Sequence, residues 1–96
     1  MKQTEQIARQ MLEAILYDND MVNREEPLDE AKLKPWTDKT AKALETPVSE
    51  LGEDFFTEEW IDSFCCGDST FIENEIKEHH CLGELSDLLN EFFEEY

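Results

Sequence analysis

The second half of this chain combines dense negative charge with regularly spaced apolar residues. From Glu50 to Tyr96 it carries fifteen acidic residues and one base, Lys77, a net charge of −14 in 47 residues. Acidic chains that lack apolar residues stay disordered, because they cannot bury enough apolar surface. This stretch, however, contains all six phenylalanines of the chain. We therefore expect it to fold around an apolar core, even though its charges repel one another.

Length and overall charge limit the class of protein. The chain has 96 residues, near the usual size of one domain, and its net charge at neutral pH is −17. It has no apolar run of about twenty residues and no signal-peptide pattern near its N-terminus. Its three cysteines, an odd number, do not favour a disulfide framework. We expect a single acidic helical domain over residues 1–96 in the cytoplasm, that of the host cell if a phage encodes it.

The first half alternates helical patterns with polar segments. Apolar residues at helical spacing predict a first helix over residues 4–17. After a polar loop, Leu28–Leu33 predicts a short helix that ends before Pro35, because a proline disfavours the helical conformation of the preceding residue. A further helix of about ten residues is expected from Trp36. Thr46–Pro47 has the pattern of an N-cap followed by proline at the first helical position, and predicts a brief helical turn.

Three more helices are expected in the second half. The first spans Thr57–Gly67, with the threonine as N-cap and the glycine as terminator. The second begins at Ser69 or Thr70 and ends at Gly83, and the third spans Glu84–Tyr96. No segment alternates polar and apolar residues for long enough to form a good strand. The sequence thus predicts an all-α fold, a compact bundle of about five short helices.

These last three helices have one apolar and one acidic face. In the C-terminal helix, the residues expected to face inward are Leu85, Leu88, Leu89, Phe92, Phe93 and Tyr96. Carboxylates occupy the opposite arc of that helix, and the two preceding helices follow the same pattern. The outward carboxylates are Glu58, Glu59, Asp62, Glu73, Glu84, Asp87, Glu91, Glu94 and Glu95. We expect these nine to form one continuous negative band.

Such a band suggests an interaction with a basic surface. Carboxylates three or four residues apart on a helix lie about 5–6 Å from each other, and phosphates follow every 3.4 Å of axis along each DNA strand. Like charges at this spacing reduce helix stability, and the helix dipole disfavours Glu94 and Glu95 near a C-terminus. We therefore predict a non-catalytic protein that binds a basic nucleic-acid-binding protein or nuclease, with no cofactor. Direct binding of nucleic acid or an anionic membrane is excluded by repulsion, and a homodimer stays possible.

The C-terminal helix Glu84–Tyr96, with the sequence ELSDLLNEFFEEY, resembles the acidic C-terminal helix of the phage overcome-classical-restriction family. Proteins of that family are small, helical and strongly acidic, and they inhibit restriction enzymes by imitating DNA. The resemblance covers thirteen residues, together with overall size and charge. It implies a DNA-mimicking inhibitor of a host defence enzyme, of restriction or CRISPR nuclease type, and does not specify the target.

Other readings of the acidic surface remain open. It could serve only solubility, or the chain could be an immunity protein or antitoxin that neutralises a nuclease. Trp36 and Tyr96, if exposed, would be anchors for a partner.

Two alternatives assign the chain to a different class of protein, an acyl-carrier-like domain or a zinc-binding domain. The segment Gly67-Asp68-Ser69 is similar to the phosphopantetheine site of acyl carrier proteins, although Thr70 follows where that family usually has an apolar residue. A zinc site is the other alternative, but adjacent ligands on a helix diverge and no Cys-x-x-Cys pair is present. Its available ligands would be Cys65, Cys66, His79, His80 and Cys81. Instead, we expect Cys65 in the core, His79 partly buried and His80 outside.

Overall fold

The computed structural model describes residues 2–96, and these contain five α-helices and no strand. The helices are α1 (Lys2–Asp18), α2 (Glu30–Leu51), α3 (Glu58–Cys66), α4 (Ser69–Glu78) and α5 (Gly83–Glu95). Short 3₁₀ turns, Glu53–Phe55 and His80–Leu82, precede α3 and α5. The predicted all-α bundle of about five helices is confirmed. None of the helices within residues 2–96 has both the length and the apolarity needed to cross a membrane.

Helix α1 supplies the central part of the core. Its inward stripe repeats at intervals of one, three and four residues, as the sequence predicts, and consists of Ile7, Ala8, Met11, Leu12, Ile15 and Leu16. All six side chains are buried, and α1 packs against α2, α3 and α5. The stripe therefore holds together helices from both halves of the chain.

Helix α2 runs without interruption through both prolines, so the predicted breaks at Pro35 and Thr46–Pro47 are wrong. Its buried residues, Leu33, Thr40, Leu44 and Pro47, form a single helical stripe that passes both sites. A proline inside a helix costs about 3 kcal/mol, and burying one leucine contributes about 1.5–3 kcal/mol. The two prolines thus cost about 6 kcal/mol, and the two buried leucines offset about 3–6 kcal/mol of it. The half-buried Trp36, Val48 and Leu51 of the same helix, which pack against the core, add to that gain.

The ends of α2 and α3 are set by local hydrogen bonds. The side chain of Asp29 accepts a hydrogen bond from the backbone N–H of Lys32 (3.2 Å) and so caps α2. The hydroxyl of Thr57 accepts one from the backbone N–H of Trp60 (3.2 Å), which confirms the predicted start of α3. At the other end of α3, the N–H of Gly67 donates to the carbonyl of Ser63 (3.0 Å), again as predicted.

Two boundaries further along the chain differ from the prediction. Asp68, rather than Ser69 or Thr70, caps α4, and its carboxylate accepts a hydrogen bond from the N–H of Thr70 (2.7 Å). Aspartate is at least as good an N-cap as serine or threonine. Gly83 does not end the preceding segment, because it has helical dihedral angles (φ −61°, ψ −47°) and is the first residue of α5.

Trp60 lies at the centre of an aromatic cluster and links α3 to α4 through a hydrogen bond. The ring of Trp60 stacks on Phe64, with centroids 4.7 Å apart, and also contacts Phe55 and Phe56. Its indole N–H donates to Oε1 of Glu75 on α4 (2.8 Å). This bond satisfies the only polar group of a large, half-buried side chain and fixes the position of α4 beside α3.

We predict that Pro35→Ala stabilises the protein. Pro35 and Ala31 are both exposed, so the substitution restores a helix hydrogen bond without loss of packing. Removing the proline gains about 3 kcal/mol in the helix and loses about 0.4–1 kcal/mol through the freer unfolded chain, a net gain of about 2 kcal/mol. The change in the free energy of unfolding can be measured by chemical denaturation monitored by circular dichroism. The matched control is Pro27→Ala in the exposed loop, where only the small loss is expected. A Pro35→Ala variant no more stable than the parent would contradict this account of α2.

Candidate interaction surface

The structure exposes all nine carboxylates that the sequence assigned to the outer faces. They are distributed over three helices, with three on α3, one on α4 and five on α5. Of the fifteen acidic residues beyond Ser49, fourteen are exposed. The exception is Glu75, which is half-buried and accepts the hydrogen bond from Trp60. The charge of the second half therefore lies almost entirely at the surface.

The positions of these carboxylates within their helices differ in electrostatic cost. Glu58 and Glu59 lie in the first turn of α3 and Glu84 lies in the first turn of α5, where the helix dipole favours negative charge. Glu94 and Glu95 lie in the last turn of α5, which has no basic residue. The dipole disfavours both of them, so their positions are unfavourable for the stability of the helix.

The ion pairs that the structure describes lie in the first half of the chain. Among the side chains of residues 3–96, no carboxylate beyond Asp38 forms an ion pair. The pairs are Arg9–Glu13 (2.7 Å), Arg9–Glu30 (2.6 Å), Arg24–Asp18 (3.8 Å) and Lys34–Asp38 (3.3 Å). Among the side chains that the structure describes, the carboxylates of the second half are thus left without ion-pair partners.

Arg9 forms ion pairs with two carboxylates, those of Glu13 and Glu30. Its guanidinium donates two hydrogen bonds to Glu30, at 2.6 and 2.8 Å, and one to Glu13 at 2.7 Å. The hydrogen bond and the positive charge of Arg9 lower the pKa of Glu30 below its ordinary value, and those with Glu30 raise the pKa of Arg9. This bidentate contact joins α1 to the start of α2.

The nine carboxylates do not share one groove, and a groove that some of them line also holds two lysines, so the surface departs from the continuous negative band that the sequence predicted. Glu58 and Asp62 line a groove of about 300 Å³ between α1 and α3, together with Glu13 and Asp18 of the first half and a single base, Arg24. This groove is strongly acidic. Glu13 and Asp18 belong to this groove because α1 packs against α3. Nothing in the sequence indicates that these two helices pack together.

The carboxylates of α5 have a different environment. Glu84, Asp87 and Glu91 line a groove of about 590 Å³ between α2 and α5, where Lys39 and Lys42 also lie. The two lysines reduce the local negative charge, so the acidic surface is not uniform along its length. Glu73 lines a third groove, whereas the other three members of the set line none of these grooves: Glu59, Glu94 and Glu95.

The two aromatic residues expected to be exposed anchors are half-buried. Trp36 packs edge-on against Phe92 with centroids 5.3 Å apart, and the Nζ of Lys39 lies 4.8 Å from its ring centre. Tyr96 packs against the same phenylalanine at 5.1 Å and is covered by Lys32 at 4.2 Å. Burial raises the pKa of Tyr96. The half-burial of Tyr96 agrees with its predicted place on the inward arc of α5. Neither residue is the exposed anchor suggested from the sequence, because lysines of α2 cover both rings.

Phe93 is the large apolar residue that is exposed instead. Its exposed fraction is 48%, whereas Phe92 is fully buried. The sequence placed both on the inner arc of α5. That arc spans six positions, which is wider than the strip that α1 and α2 cover, so the residue at its edge is left outside.

The cysteines and histidines lie as expected around the core. Cys65 is partly buried, and its burial raises its pKa. Burial and the neighbouring Asp18 raise the pKa of Cys66 to about 12, and its thiol donates to the carbonyl of Ala14 (3.3 Å). His79 is half-buried against Phe55 and His80 is exposed. Within residues 2–96, no three His, Cys, Asp or Glu side chains are grouped to hold a metal ion.

The size of the molecule can be compared with that of a nucleic-acid duplex. Its principal extents are 37 × 29 × 22 Å, and one helical turn of DNA is about 34–36 Å long. A duplex as long as the 37 Å axis carries about 22 phosphate charges, against a net charge of −17 here.

Comparison of the chain with protein-family models, curated proteins and solved structures finds no match.

We predict that moderate salt stabilises the free protein. Raising sodium chloride shortens the screening length to about 10 Å at 0.1 M and so reduces repulsion between exposed carboxylates. The melting temperature should rise accordingly. A triple variant, Glu91→Gln, Glu94→Gln and Glu95→Gln, removes charges three and four residues apart on α5. It should be about 0.5–1.5 kcal/mol more stable at low salt and respond less to added salt. A melting temperature that does not change with salt would show that repulsion is unimportant.

Proposed function

We propose that this protein is a non-catalytic inhibitor that mimics the phosphate charge of nucleic acid. Its target is a host defence enzyme of restriction or CRISPR nuclease type, whose DNA- or RNA-binding cleft it occupies. The observation that supports this best is the set of fourteen exposed carboxylates beyond Ser49, none of which forms an ion pair with a base in the part of the chain that the structure describes.

Electrostatics gives the reason why such a surface suits a nucleic-acid cleft. Lysines and arginines in these clefts bind phosphates, and binding releases the counterions that were condensed on the charged partner. A carboxylate already paired within its own protein would have to break that pair first. The unpaired carboxylates here have no such cost. Their net charge over the length of the molecule is of the same order as that of a duplex.

The distribution of the carboxylates over three helices and more than one groove suits this role. The phosphates of a duplex wind around its axis, so a cleft that encloses nucleic acid contacts charge from more than one side. Acidic groups on α3, on the α1–α3 groove and at the C-terminal end of α5 would meet such a cleft in different places. The side of α5 next to Lys39 and Lys42 is the least suitable part of the surface.

The resemblance of Glu84–Tyr96 to the C-terminal helix of anti-restriction proteins supports the same class of target. An enzyme of this class works in the cytoplasm of the host cell, which is where we place the inhibitor. An immunity protein or antitoxin against a nuclease would share this surface and differ in its target.

The proposal predicts competition between this protein and duplex DNA. The immobilised chain should retain a basic nucleic-acid enzyme from bacterial lysate, and duplex DNA should displace that enzyme. The triple variant Glu91→Gln, Glu94→Gln and Glu95→Gln should bind the retained enzyme roughly tenfold or more weakly, since each exposed ion pair contributes up to about 1 kcal/mol.

The matched control removes the same number of charges elsewhere. Asp20→Asn, Glu25→Gln and Glu26→Gln lie in the exposed loop between α1 and α2, and this variant should bind like the parent. Equal losses in both variants would mean that only total charge matters. An enzyme that duplex DNA does not displace would contradict the mimicry proposal. A toxin nuclease in place of a defence enzyme would favour the immunity reading.

A further inference from the structure

A groove between α4 and α5 has an apolar floor that no part of residues 2–96 covers. Its volume is about 460 Å³, within the usual range for binding pockets. The apolar side chains that line it are Ile15, Phe64, Ile72, Ile76, Leu89 and Phe93. Residues from four helices thus contribute to one apolar surface.

Helix α4 is the reason why the groove is open. It has no fully buried residue, and its Ile72 and Ile76 are only half-buried. It packs against α3, where Trp60 donates a hydrogen bond to Glu75, and against the turn His80–Leu82, but only weakly at most against α5. An amphipathic helix normally buries its apolar face. Here part of that face remains available, next to the exposed ring of Phe93.

The rim of the groove is polar and carries negative charge. Glu73 lies in the lining, and no lysine or arginine does. An occupant that complements this groove therefore needs apolar side chains for the floor and cationic side chains for the rim.

Charge also distinguishes between possible occupants. A second copy of this chain would bring another net charge of −17 against the first, and two such charges repel each other at contact distance. A basic helix gains from the same field. Helix-in-groove recognition uses apolar residues at helical spacing in such a groove.

We propose that the α4–α5 groove binds the apolar face of a basic amphipathic helix of the partner protein, with Phe93 as the central contact. This inference rests on the proposed function for the basic character of the partner, and adds an apolar contact that phosphate mimicry does not require. The interface would then combine charge, which steers the encounter, with a buried apolar contact that resists salt.

The experiment uses two synthetic peptides and the full chain. One peptide of about 18 residues, long enough to form a helix, carries leucines on one face and lysines on the other. The second has the same lysines, with serine in place of each leucine. Titration at about 0.5 M sodium chloride suppresses the contribution of exposed charges. The leucine peptide should bind at least about tenfold more tightly there, with NMR shifts concentrated on Ile72, Ile76, Leu89 and Phe93.

Substitutions of Phe93 test the central contact. Phe93→Ser should weaken binding of the leucine peptide by about tenfold and leave the serine peptide unaffected, whereas Phe93→Leu should retain most of the affinity. Because this side chain is 48% exposed, the variants should fold, and circular dichroism checks that they do.

Three outcomes would overturn the inference: equal binding of both peptides at high salt, shifts confined to the acidic faces, or no effect of Phe93→Ser. Dimerisation that depends on Phe93 in the absence of peptide would overturn it in favour of a second copy. No nuclease or DNA is present in this test. Its failure would leave the DNA competition result unchanged, and failure of that competition would leave the peptide result unchanged.

Discussion

The buried stripe of α1 is the contact on which the rest of this structure depends. A chain of net charge −17 repels itself, so its helices stay together only because apolar burial exceeds that repulsion. The stripe packs against α2, α3 and α5 and so joins the nearly neutral first half to the strongly acidic second half. Leu12 and Leu16 are fully buried within it. Most bases lie in the first half, where they pair with nearby acids or cover aromatic rings.

This arrangement leaves the acids of the second half without ion pairs in the part of the chain that the structure describes, and that connects the fold to the proposed function. Glu94 and Glu95 occupy the last turn of α5, which has no basic residue, although lysine there would make the helix more stable. Carboxylates on helices keep the spacing of their backbone positions, although their exposed side chains must still be ordered when they meet a basic cleft. Helix α4 buries none of its residues completely, and an apolar groove lies between it and α5. A charged surface and an apolar groove on one small domain can together give both rapid association and slow release.

Local patterns in the sequence predicted the parts of the fold that depend on neighbours along the chain. The period of Ile7–Leu16 predicted α1, Thr57 predicted the start of α3, and amphipathicity predicted the exposure of all nine carboxylates. What failed depends on contacts between distant segments. Pro35 does not end a helix, because the buried stripe of α2 continues past it. Phe93 is exposed because its neighbours cover only part of α5, and the pairing of α1 with α3 adds acids from the first half to the candidate surface.

The central claim is that exposed, unpaired carboxylates bind the target as phosphates would. The most direct test is the salt dependence of affinity for the captured enzyme between about 50 and 200 mM, at constant pH. If six or more carboxylates replace phosphates, affinity should fall by roughly a thousandfold or more over this range, with a steep linear log–log slope. An affinity that is nearly constant over the same range would contradict the claim, because charge would then contribute little to the complex.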